Sequence, residues 1–101
     1  MDGRLFQFEW DAPKADANLR KHAVTFELAS TIFFDPNLPT IADVEHSENQ
    51  ERWFSIGLAS NGALLSVVYR WLDNYPAATK VRLISARKST LAERDYYLGG
   101  S

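Results

Sequence analysis

The 101-residue chain contains no cysteine, two histidines, four prolines and five glycines. The absence of cysteine excludes disulfides, thiolate zinc sites and cysteine nucleophiles, so the fold has to be stabilised by packing. The sequence has no Gly-rich phosphate loop, and His22 and His46 lack the helical spacing of a zinc site. We therefore expect no nucleotide cofactor and no bound metal.

The sequence also lacks an apolar run long enough to cross a membrane. Met1 is followed by Asp2 and Arg4, which is not the pattern of a signal peptide. We therefore expect a cytoplasmic protein with no membrane partner. Hydrophobic residues make up 46% of the chain and aromatic residues 13%, which suits the core of one domain spanning residues 1–101.

The charges are unevenly distributed, although their sum is only -2. Residues 80–94 carry five cations and a single carboxylate, whereas residues 43–51 carry four carboxylates and no cation. The acidic segment, with His46, offers ligands for a hard cation, but such segments are more often simply solvated. A local basic surface on an acidic body suits the binding of a few phosphates or of an acidic partner.

The hydrophobic periodicity predicts an α+β fold with a small antiparallel sheet packed by helices. Strands are predicted at residues 5–10, 39–42, 52–59, 64–71 and 80–87. Helices are predicted at residues 13–22, at 25–34 and from Ser89 or Thr90 onward. The last three strands form a meander, with Ser60-Asn61-Gly62 as its first turn and residues 72–79 as a longer second connection.

The hydrophobic periodicity also predicts which side chains face the core. In the first helix, Ala15 and Leu19 are expected to face the core, and Asn18 to lie on another side with the basic residues. Arg82 and Arg87 differ by five positions in one strand, so they point to opposite faces unless a bulge intervenes.

The available side chains suit the cleavage of RNA without a metal. The 2′-OH is the nucleophile, so the protein needs only a base, an acid and fixed positive charge. Arg and Lys suit the last role, and His or Tyr suits proton transfer. These side chains can also be explained without catalysis. Cations on strands are often solvated or paired with carboxylates. His22 is favoured by its place near a helix C-terminus, and Tyr97 can serve as a packing residue.

Three segments in combination resemble the BrnT family of toxins: FEWDAPKADANLRKHAVTFELASTIFFDP, HSENQERWFSIGLASNGALLSVVYRW and VRLISARKSTLAERDYY. The resemblance runs from Phe8 to Tyr97. It implies a fold similar to the RelE and ParE toxins and a ribonuclease activity that arrests translation. It also implies an adjacent antitoxin of the BrnA type, whose ribbon-helix-helix dimer binds DNA, so that the toxin contacts DNA only through the antitoxin.

Carried over by position, the resemblance assigns a set of site residues. The catalytic candidates are His22, Arg52, Arg82 and Arg87. The substrate-binding candidates are Lys14, Lys21, Lys88 and Tyr97, the last by analogy with RelE-like toxins.

Two departures from the family pattern support an alternative function. The connection at residues 72–79 is longer than the family's usual turn, and the last helix is less basic. The alternative is a non-catalytic module that binds the antitoxin and acts as a co-repressor. Direct DNA binding ranks third, because no basic recognition helix is apparent.

Overall fold

The computed structural model describes residues 5–39, 41–42, 52–74 and 78–99, with side chains at 6–39, 52–72 and 80–99. Its elements are β1 (Leu5–Glu9), α1 (Ala12–His22), α2 (Phe26–Ser30), the 3-10 helix η1 (Thr31–Phe34), β2 (Ile41–Ala42), β3 (Trp53–Leu58), β4 (Leu64–Asn74), β5 (Ala78–Lys88) and α3 (Leu91–Tyr97). The predicted α+β class is confirmed. The acidic segment 43–51, with the candidate cation ligands around His46, lies outside the described residues.

The five strands form one mixed sheet in the order β1-β5-β4-β3-β2. The predicted meander of β3, β4 and β5 is antiparallel, whereas β1 pairs in parallel with β5 at the edge of the sheet. The predicted turn is also present: Gly62 adopts φ 86° and its N–H donates to the Ala59 carbonyl. None of the described helices is long and apolar enough to span a membrane.

The prediction of a long connection between the last two strands is wrong. β4 continues to Asn74, β5 begins at Ala78, and Asn74 pairs with Thr79. Most of the residues assigned to the connection therefore extend the two strands. This departure from the family pattern no longer supports the alternative function.

The extent of the first helix is predicted correctly, but the prediction of which of its side chains face the core is partly wrong. Asn18 is only 7% exposed, and Leu19, expected in the core, is 45% exposed. The Asn18 side-chain amide donates to the carbonyls of Val24 and Ala86 and accepts from the Ala86 N–H, at 2.9–3.0 Å. Because β1 ends at Glu9, the later part of β5 is paired with β4 on one side only, and within the described residues the Asn18 amide supplies hydrogen bonds on the other side.

The core lies on one face of the sheet, called here the inner face, which carries Leu65, Val67 and Tyr69. The predicted stripe of α2 and η1 packs onto it: Phe26, Ala29, Ile32 and Phe33 are all buried. At Gly57 a Cβ atom would lie 2.7 Å from the Ile32 Cβ, so only glycine lets η1 approach β3 this closely. The opposite, outer face is partly covered by α3.

Candidate active site

A bulge in β5 brings two predicted catalytic residues to the same face. Consecutive residues of β4 pair with residues of β5 that are two positions apart, so Ile84 has no partner of its own. The flanking pairs are Val68 with Ser85 and Tyr69 with Leu83. The extra residue shifts the alternation by one, and Arg82 and Arg87 therefore both face outward despite their odd spacing.

The outer face carries a row of three arginines, called here the arginine row. Arg70 of β4 pairs directly with Arg82 of β5. Arg52 precedes β3, and because Trp53 pairs with Tyr69, the same register continued by one residue places Arg52 opposite Arg70. Arg70 was missed by the sequence analysis, although its alternation with the buried Tyr69 and Leu65 in β4 marks it as outward-facing.

The arginine row is adjoined by one further cation and one carboxylate. Glu9 of β1 accepts a hydrogen bond from Arg82, and it lies 3.6 Å from the Lys80 ammonium. Within the part of the chain that the structure describes, Arg70 makes no hydrogen bond or ion pair. Like charges placed directly opposite each other destabilise a sheet. An anion between Arg70 and Arg82 would remove this repulsion, so the row has the charge pattern of an anion-binding surface.

Arg87 belongs to a second group on the outer face, in which Glu93 of α3 is the centre. The Arg87 guanidinium donates twice to the Glu93 carboxylate, at 2.7 Å for each nitrogen. The Ser66 hydroxyl and the Thr90 N–H donate to the same carboxylate at 2.8 Å, and the Ser89 hydroxyl lies 2.8 Å from that of Ser66. The hydrogen bonds from Arg87 lower the pKa of Glu93 to about 2, against the opposing effect of burial.

The Glu93 contact makes a testable contribution to stability. Because its folded pKa of about 2 lies below the ordinary 4.5, the contribution is complete above pH 4.5 and is lost as the pH falls toward 2. We expect wild-type protein to lose on the order of 2 kcal/mol more stability than Glu93→Gln between pH 6 and pH 2, allowing for solvent screening at the partly exposed Arg87. Urea unfolding across this range measures it.

Asp95→Asn is the matched control. Asp95 is exposed on the same helix, and the substitution removes the same charge as Glu93→Gln. Its stability should fall with pH in parallel with that of the wild type. Parallel curves for wild type and Glu93→Gln would instead show that the contact with Arg87 contributes nothing to stability.

Tyr97, a predicted substrate-binding residue, fastens α3 to the end of η1. Its hydroxyl donates to Asp35, whose carboxylate also accepts from the N–H groups of Leu58 and Asn37 at 2.9 Å. Burial raises the pKa of Asp35, but these hydrogen bonds outweigh it and lower the pKa overall. The hydrogen bond to Asp35 raises the pKa of Tyr97. A phenol held in this way is a poor acid in this conformation.

The other predicted site residues lie apart from the arginine row. Lys14 and Lys21 are exposed on α1, and His22 is half-buried in its last turn. The helix packs through Ala15 against the inner-face core, whereas the arginine row faces outward. Lys88 is exposed at the last position of β5. Among the described residues, no group of three or more His, Asp or Glu side chains is placed to hold a metal ion.

Comparisons with known proteins agree with this fold. The sequence profile of the family described as "Ribonuclease toxin, BrnT, of type II toxin-antitoxin system" matches residues 10–93. The crystal structure of the Brucella abortus ribonuclease toxin BrnT superimposes with a TM-score of 0.56 at 18% identity, covering 85% of this chain and 97% of that one. No curated protein matches. Because the profile covers most of the sequence, the chain belongs to the BrnT family of ribonuclease toxins of type II toxin-antitoxin systems.

Proposed function

We propose that this chain is a metal-independent endoribonuclease whose active site is the arginine row, and that its cleavage of RNA inhibits translation. The observation that carries the proposal is Arg70, which lies directly opposite Arg82 and has no partner among the described residues. Two guanidinium groups on adjacent strands match the planar, multidentate recognition of a phosphate. Their fixed charge would stabilise the extra negative charge of the transition state.

The proposed reaction needs no covalent bond to the protein. The 2′-oxygen attacks the adjacent phosphorus, its proton passes to a base, and the departing 5′-oxygen takes a proton from an acid. His22 and Tyr97 were predicted for proton transfer, but His22 is on α1 and Tyr97 is bound to Asp35. Beside the arginine row, the proposed base is Glu9 and the proposed acid is Lys80, whose charged groups lie 3.6 Å apart.

The family implies an antitoxin partner, and we propose that it is of the BrnA type. Such an antitoxin carries a ribbon-helix-helix domain, so the complex would bind the DNA of its own operon through the antitoxin. The cationic outer face suits an acidic segment of this partner as well as RNA, because both ligands are anionic. Binding of the antitoxin there would neutralise the toxin by covering its site.

One observation favours the alternative of a non-catalytic antitoxin-binding module. Arg82 and Arg87, two of the predicted catalytic cations, are each paired with a carboxylate of the same chain, Glu9 and Glu93. Such pairing reduces the positive charge available to a substrate. Arg70, which has no partner among the described side chains, outweighs this observation, because it gives the described part of the arginine row excess positive charge.

The experiment that tests the proposal is incubation of the purified protein with labelled RNA in excess EDTA. We expect cleavage that EDTA does not reduce, and growth arrest on expression that the neighbouring antitoxin gene relieves. Cleavage that stops on addition of EDTA would contradict the metal-independent mechanism. A folded protein that cleaves RNA neither alone nor on ribosomes, and that leaves growth unaffected, would establish the alternative.

A further inference from the structure

The group around Glu93 has the composition of a phosphate site that is already occupied. The Arg87 guanidinium and the Ser66 hydroxyl both donate to the Glu93 carboxylate, and the Ser89 hydroxyl is hydrogen-bonded to that of Ser66. A bidentate guanidinium fork binds a phosphate in the same manner as a carboxylate. Ser66 is 2% exposed, so its hydroxyl depends on Glu93 and Ser89 for hydrogen bonding.

Ser66, Arg87 and Ser89 belong to the sheet or follow it directly, whereas Glu93 belongs to a separate helix. Ser66 and Arg87 are a directly opposed pair of β4 and β5, and Ser89 follows β5. Glu93 comes from α3, a helix of seven residues in which no residue is buried. The side-chain bonds that hold α3 to the described sheet and η1 are those of Glu93 and that of Tyr97 with Asp35. The side chains of the site are therefore held by the sheet, and its occupant belongs to a helix that few side-chain hydrogen bonds attach.

The group lies on the same face as the arginine row. Ser66 and Arg70 are four residues apart in β4 and both face outward, a separation of roughly 13 Å along the strand. A single RNA strand lying along β4 and β5 would present one phosphate to Arg70 and a later one to Arg87.

We propose that Glu93 is an internal substitute for an RNA phosphate, and that a substrate phosphodiester displaces it from Arg87 and Ser66. Glu93 thus keeps a second phosphate site closed in the free protein, and binding of the substrate moves α3 away. The inference rests on the proposed ribonuclease function for the identity of the ligand.

The test uses a single-stranded deoxyoligonucleotide, which lacks the 2′-OH and cannot be consumed. Glu93→Gln removes the charge while keeping a residue type that suits the third position of a capping box. We expect it to bind the oligonucleotide about ten-fold more tightly than the wild type at low salt. The salt dependence should steepen by about 0.7, as for one additional phosphate contact.

Asp95→Asn is again the matched control, because it removes one negative charge from α3 without touching Arg87. We expect less than about a two-fold change in affinity and an unchanged salt dependence. Adding Arg87→Ala to Glu93→Gln should remove the whole gain. Equal affinities for Glu93→Gln and Asp95→Asn would overturn the proposal.

A second pair of variants covers the case in which Glu93→Gln fails to fold. Tyr97→Phe removes the other attachment of α3, and Tyr96→Phe, at a more exposed position on the same helix, is its control. Tighter binding by Tyr97→Phe alone supports displacement of α3, and equal binding contradicts it.

The outcome is separate from that of the proposed function. If the wild type cleaves RNA in EDTA but Glu93→Gln binds like the control, the proposal of a second phosphate site is wrong and the proposed ribonuclease function is supported. If Glu93→Gln gains affinity but no variant cleaves RNA, the anion site is real and the ribonuclease proposal fails.

Discussion

Arg70→Ala is expected to reduce the rate of RNA cleavage by at least about a hundred-fold, the usual result of removing one preorganised group that stabilises transition-state charge. Arg70 lies opposite Arg82 in the register of β4 and β5. Its side chain makes no hydrogen bond or ion pair among the described residues. Its removal therefore breaks no ion pair described here and relieves a like-charge contact. We expect the thermal midpoint to stay the same or rise, which calorimetry or circular dichroism measures.

The matched control for this variant is Arg20→Ala. Arg20 is exposed on α1, which packs against the inner face, so its loss changes the net charge equally without altering the arginine row. We expect its cleavage rate to remain within about two-fold of the wild type. Full activity in a folded Arg70→Ala protein would remove the arginine row from the mechanism and return attention to His22 and α1.

Asn18→Ala is expected to lower the free energy of unfolding by about 3–5 kcal/mol, because it leaves two buried carbonyls and one buried N–H without their partner. These groups belong to Val24 and Ala86, and Asn18 binds all three. For a domain of this size, each kcal/mol corresponds to roughly 4–8 °C in the thermal midpoint. Urea denaturation of the two proteins measures the difference directly.

Asn61→Ala supplies the comparison, since its side chain also accepts a backbone hydrogen bond, from the Ala63 N–H, but at an exposed turn. We expect a cost below about 1 kcal/mol there, because water replaces the lost partner. Similar costs at the two sites would mean that water reaches the edge of β5 at Ala86, and that α1 is not needed to complete that edge.

Much of the fold follows from local sequence patterns. Alternation predicts β1, β3 and the start of β4, and the stripe from Phe26 to Phe33 predicts α2 with η1. The caps are also visible in the sequence: Thr25 and Thr90 each accept from the backbone N–H three residues later, as their type and position predict. These features depend on interactions between residues close in the chain.

The features that sequence analysis misses depend on residues distant in the chain. Asn18 has the polarity of a surface residue, and only its contact with Ala86, 68 positions away, makes it a buried one. The length of β4 and β5 depends on their mutual pairing, which extends β4 to Asn74 and begins β5 at Ala78. In both cases tertiary contacts override the local preference.

The site shows the same division between local and distant information. The sequence identifies Arg82 and Arg87 as candidates but cannot decide whether they share a face, because the bulge at Ile84 has no signature of its own. Arg70 is visible as an outward-facing residue of β4, but its importance comes from the register that sets it against Arg82. Which of the predicted residues act in catalysis is for the variants above to decide.

The parallel pairing of β1 with β5 has a consequence for synthesis on the ribosome. Of the described strands, β1 is made first and its neighbour β5 is made last, so β1 has no partner in the sheet until the others have been made. Until then Phe6 and Phe8 are exposed, and pairing over such a long separation is slow. The arginine row is therefore assembled only when β5 joins the sheet, so the proposed site is incomplete until the last of the described strands has been made.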